Sequence, residues 1–149
     1  MFRRVVAALL LTLGLAAPAV AGETQMADPM PGWDNPRKIT LQLSVAGEDR
    51  VGSLLSNAAN IQEFYGQDFV EITVVAFGPG VRALLADESP VPDRVSSLQK
   101  YGIDFVACGN TLEAMGRDPD GLIDGVSWVQ AGIPEIVERE LRGAVTVRP

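Results

Sequence analysis

Tyr101-Gly102-Ile103-Asp104-Phe105-Val106-Ala107-Cys108-Gly109-Asn110-Thr111-Leu112 is the stretch on which the fold turns. Ile103 to Ala107 reads as a brief apolar strand, and a run of that kind predicts burial on both faces. A short helix is predicted next, from Thr111 to Met115. Asn110 can cap it, with Glu113 three residues on in the pattern of a capping box. The lone cysteine therefore falls between the end of a strand and the start of a helix.

Outward from this block the hydrophobic period alternates between two and about 3.6. Ile39, Leu41, Leu43 and Val45 mark a first strand. Asp49 can then cap a helix whose stripe runs Val51, Leu54, Leu55, Ala58, Ile61 and Tyr65, ended by Gly66. Val70 to Phe77 gives the second strand, stopped by Gly78-Pro79-Gly80. Val81 to Ala86 is short and helical, Ser89-Pro90 interrupts, and a helix follows from about Pro92 to Tyr101. Beyond the turn-rich Asp118-Pro119-Asp120-Gly121, Val126 to Val129 forms a fourth strand. Pro134 then stands at a first helical position, with Ile133, Ile136, Val137 and Leu141 facing inward. Gly143 ends that helix, and Ala144 to Val147 is a fifth strand. Alternation of this kind implies a three-layer, doubly wound α/β domain: a mainly parallel five-stranded sheet with helices on both faces.

The amino terminus has the parts of a secretory signal: Arg3-Arg4, an apolar core from Val5 to Leu15, and small residues at Ala19-Val20-Ala21. That core is shorter than the roughly 20 apolar residues a membrane helix needs. Residues 1–21 are therefore read as a cleaved leader, and the mature protein as periplasmic or secreted. Residues 22–37, punctuated by Pro29, Pro31 and Pro36, form a polar, flexible lead-in, and 38–149 is the domain. Trp33 is expected to fold back onto that domain. Met26 and Met30 lack the third soft ligand that a Cu(I) site would want.

Removing 21 of 149 residues leaves 128, enough for one domain with a sizeable core. The leader carries two of the 12 basic residues and none of the 19 acidic ones, so the mature chain sets 10 basic against 19 acidic, a formal charge of −9. Such a surface repels phosphate backbones and anionic bilayers, so neither nucleic acid nor a membrane is an expected partner.

The chain has one cysteine and no histidine. An intrachain disulfide is excluded, as are Ser-His-Asp and Cys-His systems and zinc sites built on imidazole. No cofactor is implied. Carboxylate, thiol and backbone chemistry remain. Asp87-Glu88 and Asp118 to Asp120 are acidic pairs in turn-like segments, where such residues are ordinary.

In an α/β sheet, sites form outside the carboxyl ends of the strands. Two segments fall there. Gly78-Pro79-Gly80 reads either as a tight strand-to-helix turn or as an anion cradle. Cys108-Gly109-Asn110-Thr111 reads either as inert packing, with Cys108 a small apolar residue, or as a thiolate favoured by a helix start and partly opposed by Glu113.

The Tyr101-to-Leu112 block, with Phe77-Gly78-Pro79-Gly80-Val81 and the Leu55-Ser56-Asn57-Ala58 helix, resembles the DsrE/DsrF/YchN-like family from about Lys38 to Pro149. The resemblance implies a DsrE/YchN-like fold and a homotrimer or homohexamer. From the sulfur-relay members it implies a cysteine that carries sulfur as a persulfide between donor and acceptor proteins. That role maps onto Cys108, with Gly109, Asn110 and Thr111 shaping its surroundings and Gly78, Pro79 and Gly80 lining the pocket. The relay members work in the cytoplasm, whereas this leader predicts export. The other reading is a non-catalytic oligomer that binds a small ligand between subunits.

Overall fold

Alternating apolar residues build the sheet as expected. The computed structural model describes residues 22–149, so the leader expected over 1–21 lies outside the described residues. The elements run β1 (Arg37–Leu43), α1 (Glu48–Tyr65), β2 (Val70–Ala76), α2 (Pro92–Lys100), β3 (Ile103–Cys108), α3 (Gly109–Ala114), β4 (Ser127–Val129), α4 (Gly132–Leu141) and β5 (Val145–Val147). Tight 3-10 turns fill Gly78–Leu84 and Pro119–Gly121. All four pairings are parallel, in the order β4-β3-β2-β1-β5.

Successive strand residues point to opposite faces, so the strands sort the helices. On one face Leu41, Leu43, Ile72, Val74, Ile103 and Phe105 meet Val51, Leu54 and Leu55 of α1, Val95 and Leu98 of α2, and Leu112 of α3. Each such fully buried Leu, Ile or Phe contributes about 1.5–3 kcal/mol relative to exposure. On the other face Val75 and Val106 meet Ile136 of α4. Three helices thus cover one face and a single helix the other. Beyond Val75 and Val106 this second face turns polar, with Lys38, Thr40, Glu71 and Thr73, and Arg139 of α4 lies over Thr73. β3 is buried on both faces except at Asp104, which is exposed.

Several local expectations need correction. Asp49 does not cap α1; the cap position is Gly47, and Asp49 lies in the first turn. α4 begins at Gly132, so Pro134 stands at its third position, where a missing N–H is still harmless. Ile133, Val137 and Leu141 do not face inward. They are 51 %, 48 % and 76 % exposed, because the sheet under α4 offers apolar contact along one narrow line, which Gly132 and Ile136 occupy. Trp33 does touch the domain, meeting the Phe69 ring edge-on at 5.6 Å between centroids, but it stays largely exposed.

Among the described residues no helix is long and apolar enough to cross a membrane.

Candidate functional site

β3 and β4 are neighbours in the sheet, with Cys108 paired to Val129. The chain leaves β3 for α3 on one face and leaves β4 for α4 on the other. The crevice between the carboxyl ends of these two strands is therefore a topological switch point, where doubly wound sheets hold their ligands. Cys108, the last residue of β3 and the cap position of α3, sits in it.

Cys108 is only 6 % exposed, yet its sulfur is surrounded by donors. Burial pushes the thiol pKa up. The Thr111 hydroxyl and the backbone N–H groups of Gly132, Thr111 and Asn110 outweigh that effect, and the net direction is below the ordinary thiol range. The Gly132 N–H donates to Sγ at 3.2 Å. The Asn110 N–H is shared, since it also donates to the Gln130 carbonyl at 2.9 Å. Donors that favour the charged form lower an acid's pKa. Here they come from the first turns of two helices that diverge from the crevice.

Thr111 also joins the two segments that the sequence singled out. Its Oγ1 accepts from the Gly78 N–H at 3.1 Å, leaving the single hydroxyl proton for the sulfur. The Gly78 donor is thus used inside the protein. Gly80 has a packing role: a Cβ there would lie 2.0 Å from the Leu43 carbonyl oxygen. Gly78 and Pro79, with Arg82, Asn110, Thr111, Ala114 and Met115, line an open cleft of about 430 Å³, which Cys108 itself does not line. The turn therefore serves mainly as structure and presents its outer edge to this cleft.

Asn110 and Glu113 do not form the expected capping box. α3 starts two residues earlier than expected, at Gly109, and no side chain caps it. Asn110 Oδ1 instead accepts from Gln130 Nε2 at 2.6 Å, so the residue fastens the β4–α4 connection over the thiol. Glu113 is exposed and is not among the groups that act on the sulfur. Gly109 lets β4 come close, since a Cβ there would lie 3.0 Å from the Val129 carbonyl oxygen and 3.1 Å from the Trp128 ring.

Sequence reasoning did not reach Gln130 and Gly132. The available signal was a glycine two residues before Pro134 and three past the end of β4. Starting the helix at the proline hid it.

The acidic pairs are otherwise engaged. Arg117 pairs with Asp87 and, at 2.7 Å, with Glu88, and its guanidinium holds the Asp87 carboxyl below the usual range. Asp118 accepts from the Asp120 N–H within its own turn. Among the described residues no group of three or more His, Cys, Asp or Glu is placed to hold a metal ion.

Comparison with known proteins bears on this arrangement. Residues 38–140 match the model of the DsrE/DsrF-like family. The solved structure of MTH1491, a protein of unknown function from Methanobacterium thermoautotrophicum, is 37 % identical, with a TM-score of 0.72 over 76 % of this chain and 99 % of that one. The ychN protein from E. coli has the same fold at 17 % identity, with a TM-score of 0.62 over 76 % and 97 % of the two chains. BT1422 from Bacteroides thetaiotaomicron shares it at 20 % identity and a TM-score of 0.57, over 75 % and 94 %. No curated protein matches the chain.

Proposed function

The chain belongs to the DsrE/DsrF-like family, and on that premise we propose that Cys108 is a thiolate that accepts sulfane sulfur and passes it on. One observation carries this reading: the donors from Thr111, Gly132 and Asn110 that converge on Sγ at the switch point.

In the forward step the Cys108 thiolate attacks the outer sulfur of a donor persulfide. The new Sγ–S bond forms as the donor S–S bond breaks, and the donor leaves as its own thiolate. In the return step an acceptor thiolate takes the outer sulfur and Cys108 leaves as thiolate. No external oxidant or reductant is needed. A lowered thiol pKa helps the return step most, because thiols of low pKa leave faster. Thr111 and the N–H of Gly132 hold the charge that reappears on Sγ.

With 6 % of the residue exposed, a donor reaches Sγ only after local opening. In this reading the opening element is the Gln130–Gly132 connection, held down by the paired Asn110–Gln130 hydrogen bonds. The same low exposure favours the second reading, an oligomer that binds a small ligand in the cleft with Cys108 packed behind it.

Intact-mass analysis after polysulfide treatment separates the two. The expected result is a gain of one sulfur atom on the native protein and none on Cys108→Ser. An unmodified native protein, under conditions that persulfidate a free thiol, would favour the second reading.

A further inference from the structure

The polar part of the α4 face holds a second polar site, away from the thiol. Thr73 lies on β2 three residues before Ala76, which pairs with Ala107 next to the thiol, and Thr40 of β1 is its register partner. Lys38, Thr40, Glu71 and Thr73, with Arg139, Arg142 and Ala144 beyond the sheet, line a cleft of about 160 Å³.

Thr40 is 1 % exposed, and its hydroxyl has no hydrogen-bond partner among the described residues. A buried hydroxyl without a partner is costly, and valine would fill the same space without that cost. The Thr146 hydroxyl, on the neighbouring strand at the same register, is likewise buried and unpartnered. Thr73 is 5 % exposed, and its oxygen accepts from Arg139 Nη1 at 2.9 Å, so its proton remains to be given. Arg139 Nε stands 2.7 Å from Glu135 Oε1 without hydrogen-bond geometry.

These groups are donors. Lys38, Arg139 and Arg142 bring three positive charges, while Glu71, the register partner of Lys38, and Glu135 bring two negative ones. One positive charge is left over, on a chain whose formal charge is −7. The arginines are not needed to close the end of α4, because the N–H groups of Arg142, Gly143 and Ala144 already satisfy the carbonyls of Glu138, Glu140 and Arg139.

We propose that this cleft binds a small inorganic oxyanion of the sulfate or phosphate class, held by the Thr40 and Thr73 hydroxyls and the Arg139 and Arg142 guanidiniums. Guanidinium and hydroxyl donors around a confined space suit a compact, multiply accepting anion. Chloride offers no such set of directed acceptors.

The test titrates sodium sulfate and sodium phosphate against sodium chloride at matched ionic strength, following thermal unfolding and calorimetric heat. Sulfate and phosphate also stabilise proteins generally by exclusion, but that effect does not saturate, whereas a bound anion gives a saturable rise. The native protein is expected to show the saturable part. Thr40→Val should weaken it by about tenfold, the worth of one hydrogen bond to a charged group, while folding as well as the native chain without anion. Arg142→Gln, a change at a mostly exposed side chain, should weaken it too and decides the matter if Thr40→Val fails to fold. Cys108→Ser should bind the anion normally, so this test stands apart from the sulfur-carrier reading. A native response that never saturates, or equal saturation in the native protein and the variants, overturns the proposal.

Discussion

The Gly132 N–H lies 3.2 Å from the Sγ of Cys108, so the first residue of α4 closes over the last residue of β3. The approach leaves little room. A Cβ at position 132 would stand 3.0 Å from the Cys108 Cβ and 3.5 Å from both its sulfur and the Phe77 Cβ. We expect Gly132→Ala to push the helix start off the thiol and to destabilise the fold by about 1–3 kcal/mol, the usual cost of overpacking. The denaturation midpoint reads the second effect. Faster alkylation of Cys108 in the folded protein reads the first; an unchanged rate would mean that this glycine does not gate the sulfur.

The lowered thiol pKa can be tested through its pH dependence. Because the folded thiol ionises before the unfolded one, stability from this group is fully present above the unfolded value of about 8.5 and is lost as pH falls through the folded value. The native protein should therefore gain stability relative to Cys108→Ser as pH rises through that window. Thr111→Val removes the side-chain donor and should slow alkylation near neutral pH on the order of tenfold. Thr111→Ser should retain the native profile. A native alkylation midpoint at or above the free value would remove the basis for a thiolate.

Gly80 tests the turn after β2. Its missing side chain admits the Leu43 carbonyl to 2.0 Å of where a Cβ would be, and backbone cannot step aside as a side-chain tip can. Gly80→Ala should therefore cost at least the upper part of the roughly 1–3 kcal/mol range for overpacking, with loss of soluble protein the expected result. Pro79→Ala, at the cleft edge, should be mild by comparison in the same unfolding measurement.

The strands and their order of appearance were legible because Ile39-Leu41-Leu43 and Val70-Ile72-Val74 alternate strongly, and because Gly66 and Gly143 end the helices they follow. What the sequence concealed was decided by packing between distant elements. Asn110 looked like a cap, but Gln130, twenty residues on, takes its oxygen. Ile133, Val137 and Leu141 looked like core, yet an apolar residue on a helix is buried only if the sheet beneath offers a surface, and this sheet face is largely polar beyond Val75 and Val106. The position of Cys108 after a strand and before a helix could be read locally. Its contact with Gly132 required knowing that β4 lies beside β3, which no periodicity reports.

Expressed with its own leader in a bacterial host, the protein should be recovered outside the cytoplasm with Gly22 as its first residue, as the Ala19-Val20-Ala21 pattern predicts. Amino-terminal sequencing that returned Met1 on membrane-bound material would refute this.

We propose that copies of the chain assemble through the stripe that α4 turns to solvent. Ile133, Val137 and Leu141 are spaced four residues apart, so they share one side of the helix, and each is about half exposed or more. A line of large apolar side chains on a monomer's surface marks an interaction surface, and the family resemblance supplies the partner, a second copy of the chain. We expect a trimer or hexamer by light scattering. Val137→Glu with Leu141→Glu should dissociate it. Both side chains are exposed, so each change should alter the stability of the separated subunit by no more than about 0.5 kcal/mol. The unfolding temperature of the native assembly should rise with protein concentration, and that dependence should vanish in the double variant. A native mass of one subunit across a wide concentration range would refute the assembly. A double variant that kept the native mass would move the interface off α4.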